Sequence, residues 1–245
     1  MFGAIILVAL LVLSPATPTS AAPVAAPGAA AFQYFPETGH NIGLAVKQYY
    51  DAHGGVAVFG LPLTEVIVEP ETGTQVQYFE RARFELHPDQ PADQYVSLTR
   101  VGSILTASRT DPAFDWLAAS PTPERDFYPE SGHTLGGAFR YFWQAHGGLE
   151  VFGYPISEEF LEMQPGGAQP ILVQYFERAR FEYHPDATGT PQEVQLSHLG
   201  RELLNRHPFA QAATAPVAPI QLLGEATTSY ATSVREREHN IARAT

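Results

Sequence analysis

The chain has 245 residues, 44% of them hydrophobic, and a formal charge of −12. That length suits one large or two small domains, and the apolar content supports packed cores. The acidic balance argues against a nucleic-acid partner, since phosphate binding needs a basic surface, and the lack of cysteine excludes disulfides and thiolate metal sites.

Ala4 to Leu13 is an uninterrupted apolar run, followed by a stretch rich in Ala, Pro and Ser. The run is shorter than the roughly 20 residues a membrane span takes. It fits the apolar core of an export signal, with small residues near Ala21 and Ala22 for cleavage. No charged side chain precedes Glu37, so the basic flank usual in such signals is missing. Left uncleaved, the segment would be a membrane anchor, and it is the chain's one expected membrane contact.

The body of the chain is internally repeated. Phe35 to Glu65 aligns without a gap on Tyr128 to Glu158, and about half of the positions are identical. Val76 to Asp89 returns as Val173 to Asp186, differing only at Leu86 against Tyr183. Each copy ends on spaced Val, Leu and Gly, at Val101-Gly102 and Leu199-Gly200. Units of this size lie near the lower limit for a self-sufficient core, so the copies are expected to pack together. The organisation read from these features is an export segment and Ala/Pro tract at 1–31, a first module at 32–106, a linker at 107–126, a second module at 127–206, an extended Ala/Pro-rich linker at 207–221, and a further segment at 222–245. Trp116 is expected to dock the first linker onto a module.

Within each copy, Ile42, Val46, Tyr49 and Tyr50, and likewise Leu135, Phe139, Phe142 and Trp143, share one helical face. Thr38 or Asn41, and Ser131 or Thr134, are candidate caps. Gly54-Gly55 and Gly147-Gly148 should stop the helix. A turn-rich segment follows, with Gly and Pro at Phe59-Gly60-Leu61-Pro62 and Phe152-Gly153-Tyr154-Pro155. The Phe79–Glu85 segment is β-like. It reads either as one long strand or as a tight hairpin at Arg81-Ala82 that pairs Phe79 with Phe84 and Glu80 with Arg83. The near-palindrome favours the hairpin, although Arg-Ala is not a preferred two-residue turn. The predicted class is α+β, with two tandem modules of one helix packed on a small antiparallel β-hairpin or sheet.

Phe152-Gly153-Tyr154-Pro155-Ile156-Ser157-Glu158, followed by Tyr175-Phe176-Glu177, resembles the LGFP repeat family, with Phe where that family carries Leu. The resemblance implies bacterial cell-wall attachment. Gly224 to Tyr230, through Arg235 to Asn240-Ile241-Ala242, is similar to the opening of a VanW-type domain. That similarity implies a bacterial envelope protein of which only the first part of such a domain is present, and it carries no established chemistry.

The polar residues shared by both copies give little support for catalysis. His40, His53 and His87, with His133, His146 and His184, could supply metal ligands, but their spacing matches no helical metal motif. His53 and His146 precede Gly-Gly, where an imidazolium would favour the helix dipole. His40 and His133 are expected to make local hydrogen bonds. Glu80 with Glu85, and Glu177 with Glu182, could be acid/base pairs for glycoside hydrolysis, but each lies beside Arg, so ion pairing accounts for them. No nucleophile, zinc or phosphate motif occurs, and no cofactor or metal is expected. For binding, Tyr34, Tyr49, Tyr78, Tyr95, Trp143, Tyr154 and Tyr175 are candidate sugar-stacking rings, although Tyr49 and Trp143 suit a core. The candidate ligand-binding set is Tyr78, Arg81, Arg83, His87, Tyr154, Tyr175, Arg178, Arg180 and His184, since Arg forks match anionic groups. The expectation is a non-catalytic, exported envelope protein that binds cell-wall glycan or peptidoglycan, or positions a VanW-like domain. A spacer without ligand is the alternative, and an envelope hydrolase comes last.

Overall fold

The computed structural model describes residues 32–220, apart from 118, 119, 165 and 168. The apolar run at 4–13 and the VanW-like stretch at 224–242 lie outside the described residues. The fold is mixed α and β with several small antiparallel sheets.

The N-terminal half opens with a hairpin of β1 (Phe32–Phe35) and β2 (His40–Gly43). Two helices follow, α1 (Leu44–Ala52) and α2 (Gly55–Phe59). A four-stranded antiparallel sheet comes next, in the order β3 (Ile67–Val68), β4 (Gln75–Tyr78), β5 (Arg83–Leu86), β6 (Val96–Leu98). The short helix α3 (Val101–Thr106) ends this half. The C-terminal half repeats the order: β7 (Arg125–Tyr128) and β8 (His133–Gly136), helices α4 (Gly137–Ala145) and α5 (Gly148–Phe152), then a second four-stranded sheet. That sheet runs β9 (Phe160–Met163), β10 (Pro170–Tyr175), β11 (Arg180–Tyr183), β12 (Val194–Leu196). Helices α6 (Leu199–Leu204) and α7 (Ala210–Ala213) follow.

Three local expectations are corrected. The helices begin later than the apolar periodicity suggests, so Ile42 and Leu135 sit on strands. Gly43 and Gly136 stand at the N-caps without any side-chain bond. The cause is tertiary: the carboxylate of Glu65 accepts the Asn41 N–H, and that of Glu158 accepts the Thr134 N–H, both at 2.8 Å, which holds this stretch extended. The hairpin is real, but its turn lies one residue earlier than the palindrome suggests, which shifts the pairing by two. Tyr78 faces Arg83 and Gln77 faces Phe84, so Glu80-Arg81 forms the turn. Its N–H groups are taken by the preceding loop, Glu80 to the Leu61 carbonyl and Arg81 to that of Phe59, both at 3.0 Å. Phe79 and Phe84 still meet, with ring centroids 4.4 Å apart. Finally, the Ala/Pro-rich segment after Arg206 is not simply extended. Phe209 anchors it in a buried cluster with Ile67, Val76 and Tyr78, and its alanines form α7.

The glycine stop behaves as expected. Gly54 lies at φ 100° and Gly147 likewise, a left-handed conformation that only Gly adopts freely. Each ends one helix and starts a second, shorter one, which the periodicity did not reveal.

The halves are interlocked. The largest apolar cluster draws Phe59, Phe79 and Phe84 from one half and Phe152, Phe176 and Phe181 from the other. Each half sends the helix that follows its four-stranded sheet against the β-turn of the opposite half. On α3, the Ser103 N–H donates to the Glu177 carbonyl, and on α6 the Arg201 N–H donates to that of Glu80, at 3.1 and 3.0 Å. The chain segments beyond these helices cross over in the same way. The linker lays Trp116 flat on Gly132, with the Leu117 N–H donating to the Gly132 carbonyl at 2.9 Å. The tail lays Pro216 on Gly39, with the Val217 N–H donating to the Gly39 carbonyl at 2.8 Å.

Gly102 and Gly200 permit this crossing. A Cβ on Gly102 would lie 2.0 Å from the Phe176 carbonyl oxygen, and one on Gly200 would lie 2.2 Å from that of Phe79. Both obstacles are backbone and cannot swing aside. Gly200→Ala is therefore expected to cost about 3 kcal/mol or more, read as a lower midpoint in urea unfolding, with Gly102→Ala close behind. A change within about 0.5 kcal/mol would show that the helices do not seat so closely.

Candidate functional site

The nine sequence-selected residues are all at least half-buried, and most serve as internal braces. Tyr78 is fully buried and Tyr175 is 8% exposed. Arg83 reaches Glu69 with Nε at 3.0 Å and also pairs through Nη2 with the other carboxylate oxygen. It further donates to Glu85 at 2.8 Å and to the Thr99 hydroxyl at 2.7 Å. The Tyr78 hydroxyl donates to the same Glu69. Burial pushes the Tyr78 phenol up, and the adjoining Glu69 carboxylate pushes it further.

The other half builds the same knot with an extra cation. Arg180 bonds Glu162, Glu182 and Ser197 at 2.9, 3.0 and 3.0 Å. The Tyr175 hydroxyl donates to Glu162 at 3.0 Å, and burial pushes that phenol up to about 12. Arg109, from the crossing linker, adds a 2.6 Å bond to Glu162. His207 of the tail takes the matching place in the first half, edge-on to Tyr78 and stacked on Phe209.

Arg81 and Arg178 join the halves. Their Nε groups donate to the carbonyls of Leu196 and Leu98, at 3.2 and 3.3 Å. Their Nη1 groups donate to those of Val56 and Leu149, at 2.9 and 3.3 Å. Between them lies a narrow cleft with a cavity volume of about 20 Å³, lined among others by Val58, Val151, Thr99 and Ser197. That is room for about one water molecule and far below a small-molecule site.

The paired glutamates do not converge. Glu80 accepts the Leu61 N–H at 3.1 Å and pairs with Arg201 at 3.0 Å, whereas Glu85 faces Arg83 and Thr99. Glu177 likewise accepts the Tyr154 N–H and pairs with Arg100, whereas Glu182 faces Arg180 and Ser197. Among the described residues no group of three or more His, Asp or Glu side chains could hold a metal ion.

His53 and His146 do sit at helix C-termini, their Nδ1 atoms 2.7 and 2.9 Å from the Tyr49 and Phe142 carbonyls. His133 bonds Glu158, far along the chain, at 3.3 Å, whereas His40 Nδ1 only approaches Glu65, at 3.6 Å, without a hydrogen bond. His87 bonds Ser97 at 2.8 Å, and His184 lies 3.7 Å from Glu182. Of the sugar-stacking candidates, none is exposed: Tyr34, Tyr49, Tyr95, Trp143 and Tyr154 are half-buried. Trp116, selected only as a dock, is the exposed ring of the linker.

No protein-family model matches the chain, and no curated protein sequence matches it either.

Two measurements test these braces. Removing Glu69 leaves Arg83 as a buried, underpaired charge, so Glu69→Ala should cost about 3–5 kcal/mol in chemical denaturation. The second is acid stability. Burial raises the Glu80 carboxyl, but the Leu61 N–H and Arg201 outweigh it and hold the group below its usual 4.5. Glu158 is likewise raised by burial and then held below 4.5 by His133 and Thr134. Because the folded values are depressed, the unfolded chain binds more protons in this window. Stability should be full above about pH 5 and fall as pH drops further, with the loss reduced in Glu80→Gln and in Glu158→Gln.

Proposed function

We propose that the two halves are tandem copies of one repeat module, and that together they form a non-catalytic platform of the bacterial cell envelope. The platform is exported by its N-terminal segment and holds a following VanW-like domain next to the point where the chain comes in. Export is supported by the apolar run and the small residues after it. The domain identity rests on the similarity at 224–242.

The geometry at the two limits of the described residues favours positioning over spacing. Asn41 pairs with Tyr34 on β1, and the Asn41 amide holds the tail through the Ala218 carbonyl at 3.2 Å and the Ile220 N–H at 3.0 Å. Phe32 and Ile220 therefore lie within about 15 Å of each other. A spacer gains reach by separating its ends. Here the described chain, from Phe32 to Ile220, returns to where it began. The glycan-binding alternative loses support because its arginines and rings are engaged internally.

The lack of cysteine allows clean labelling. Spin labels on Gln33→Cys and Pro219→Cys should give one narrow distance below about 30 Å. A broad or longer distribution would remove the positioning argument. Independently, a reporter enzyme active only outside the cytoplasm, fused after Thr245, should be active, and a silent reporter would overturn export. If the full chain sediments with purified peptidoglycan and Arg81→Ala with Arg178→Ala abolishes this, wall binding is the better reading.

A further inference from the structure

The two four-stranded sheets have four outer strands, and three of them are three residues or shorter and are capped in part or blunted. On β6 and β12 the outward carbonyls of Leu98 and Leu196 are capped by Arg178 and Arg81 of the opposite halves. On the first sheet the remaining edge, β3, is two residues long and runs into Glu69 and Pro70. Short strands and proline are the usual ways to blunt an edge.

The matching strand of the second sheet, β9, lacks these protections. It is four residues long, and Met163 stands where the first half has Pro70. The direction of its backbone groups follows from a neighbour. Tyr175 presents its carbonyl to the Ile156 N–H and its own N–H to the Ser157 hydroxyl, so alternate β10 residues, including Val173 and Ile171, turn toward β9. Their partners Phe160 and Glu162 are used within the sheet. Leu161 and Met163 must therefore point their N–H and C=O groups outward, and among the described residues none of these groups has a partner. Their side chains are 66% and 57% exposed, beside Leu172 and the exposed Pro170.

We propose that β9 is a self-association edge, at which a second copy of this chain pairs antiparallel about Glu162. That register sets Leu161 against Met163 of the second copy, and Met163 against its Leu161. All outward groups of the four residues then find partners, and both sheets merge into one of eight strands. The second copy supplies alternate apolar residues on the correct face without further design. Glu162 would meet its own copy, but its charge lies on the other face, already held by Arg109 and Arg180 at 2.6 and 2.9 Å. A strip this short falls below the roughly 1,200–2,000 Å² of a stable interface, so the dimer is weak. The chain's charge of −12 opposes it, and added salt should strengthen it.

Sedimentation equilibrium of the full chain in a nonionic detergent tests this. A concentration-dependent dimer is expected, tighter at 0.5 M than at 0.05 M salt. Met163→Pro removes an outward N–H in each copy and Leu161→Lys places like charges across the seam. Each should weaken the dimer about tenfold or more, while Val68→Lys on the first sheet should leave it unchanged. Circular dichroism of each variant separates lost pairing from lost fold. A chain that stays monomeric at millimolar concentration overturns the proposal. So does a dimer that survives both β9 variants in folded form, which would place association elsewhere, for instance at the apolar N-terminal run.

Discussion

The arrangement depends on two helix-to-turn contacts in which backbone meets backbone without a side chain between them. Gly102 lies under the Phe176 carbonyl and Gly200 under that of Phe79. Because each helix belongs to one half and each turn to the other, neither half completes its own packing. The Arg81 and Arg178 bonds to strand-edge carbonyls, and the shared phenylalanine core, follow from that approach. A half of this size exposes too much surface relative to its core to be robust alone. Exchanging terminal segments lets the two supply one core between them.

The same exchange explains why the residues that recur most faithfully are largely taken up by internal contacts. The Phe-Glu-Arg-Ala-Arg-Phe-Glu stretch makes a turn, an edge cap and a buried ion knot at once. Phe79 and Phe84 fill the core, Glu80 ties back to Leu61, Arg81 caps the far sheet, and Arg83 satisfies the buried Glu69. Almost every side chain in it has a fixed partner.

Much of this was legible in the sequence, and the misses have a common cause. The mixed α and β class, the glycine helix stops and a hairpin at the palindrome follow from local pattern. The register of that hairpin did not, because its turn N–H groups are claimed by Phe59 and Leu61, a tertiary contact. The delayed helix start is likewise set by Glu65 and Glu158, some two dozen residues away. The buried knot escaped because Glu69 and Glu162 sit outside the aligned stretches, next to the acids Glu71 and Glu159 that look like ordinary surface residues. The docking of the tail was hidden by its Ala/Pro composition, which reads as a linker, although Phe209 is an apolar anchor in the middle of it.

That tail has a mechanical side. Its attachments to the first half, at Gly39 and Asn41, lie beside the place where the chain comes in. A pull between the two ends would therefore load those bonds one after another, as in opening a zipper, and would bypass the interlocked core. The tail would peel away at low force while both sheets stayed intact. Freeing residues 205–220 adds about 50 Å of slack at full extension. Tension could thus lengthen the molecule without unfolding its sheets, and the slack would be taken up again when Phe209 reseats among Ile67, Val76 and Tyr78.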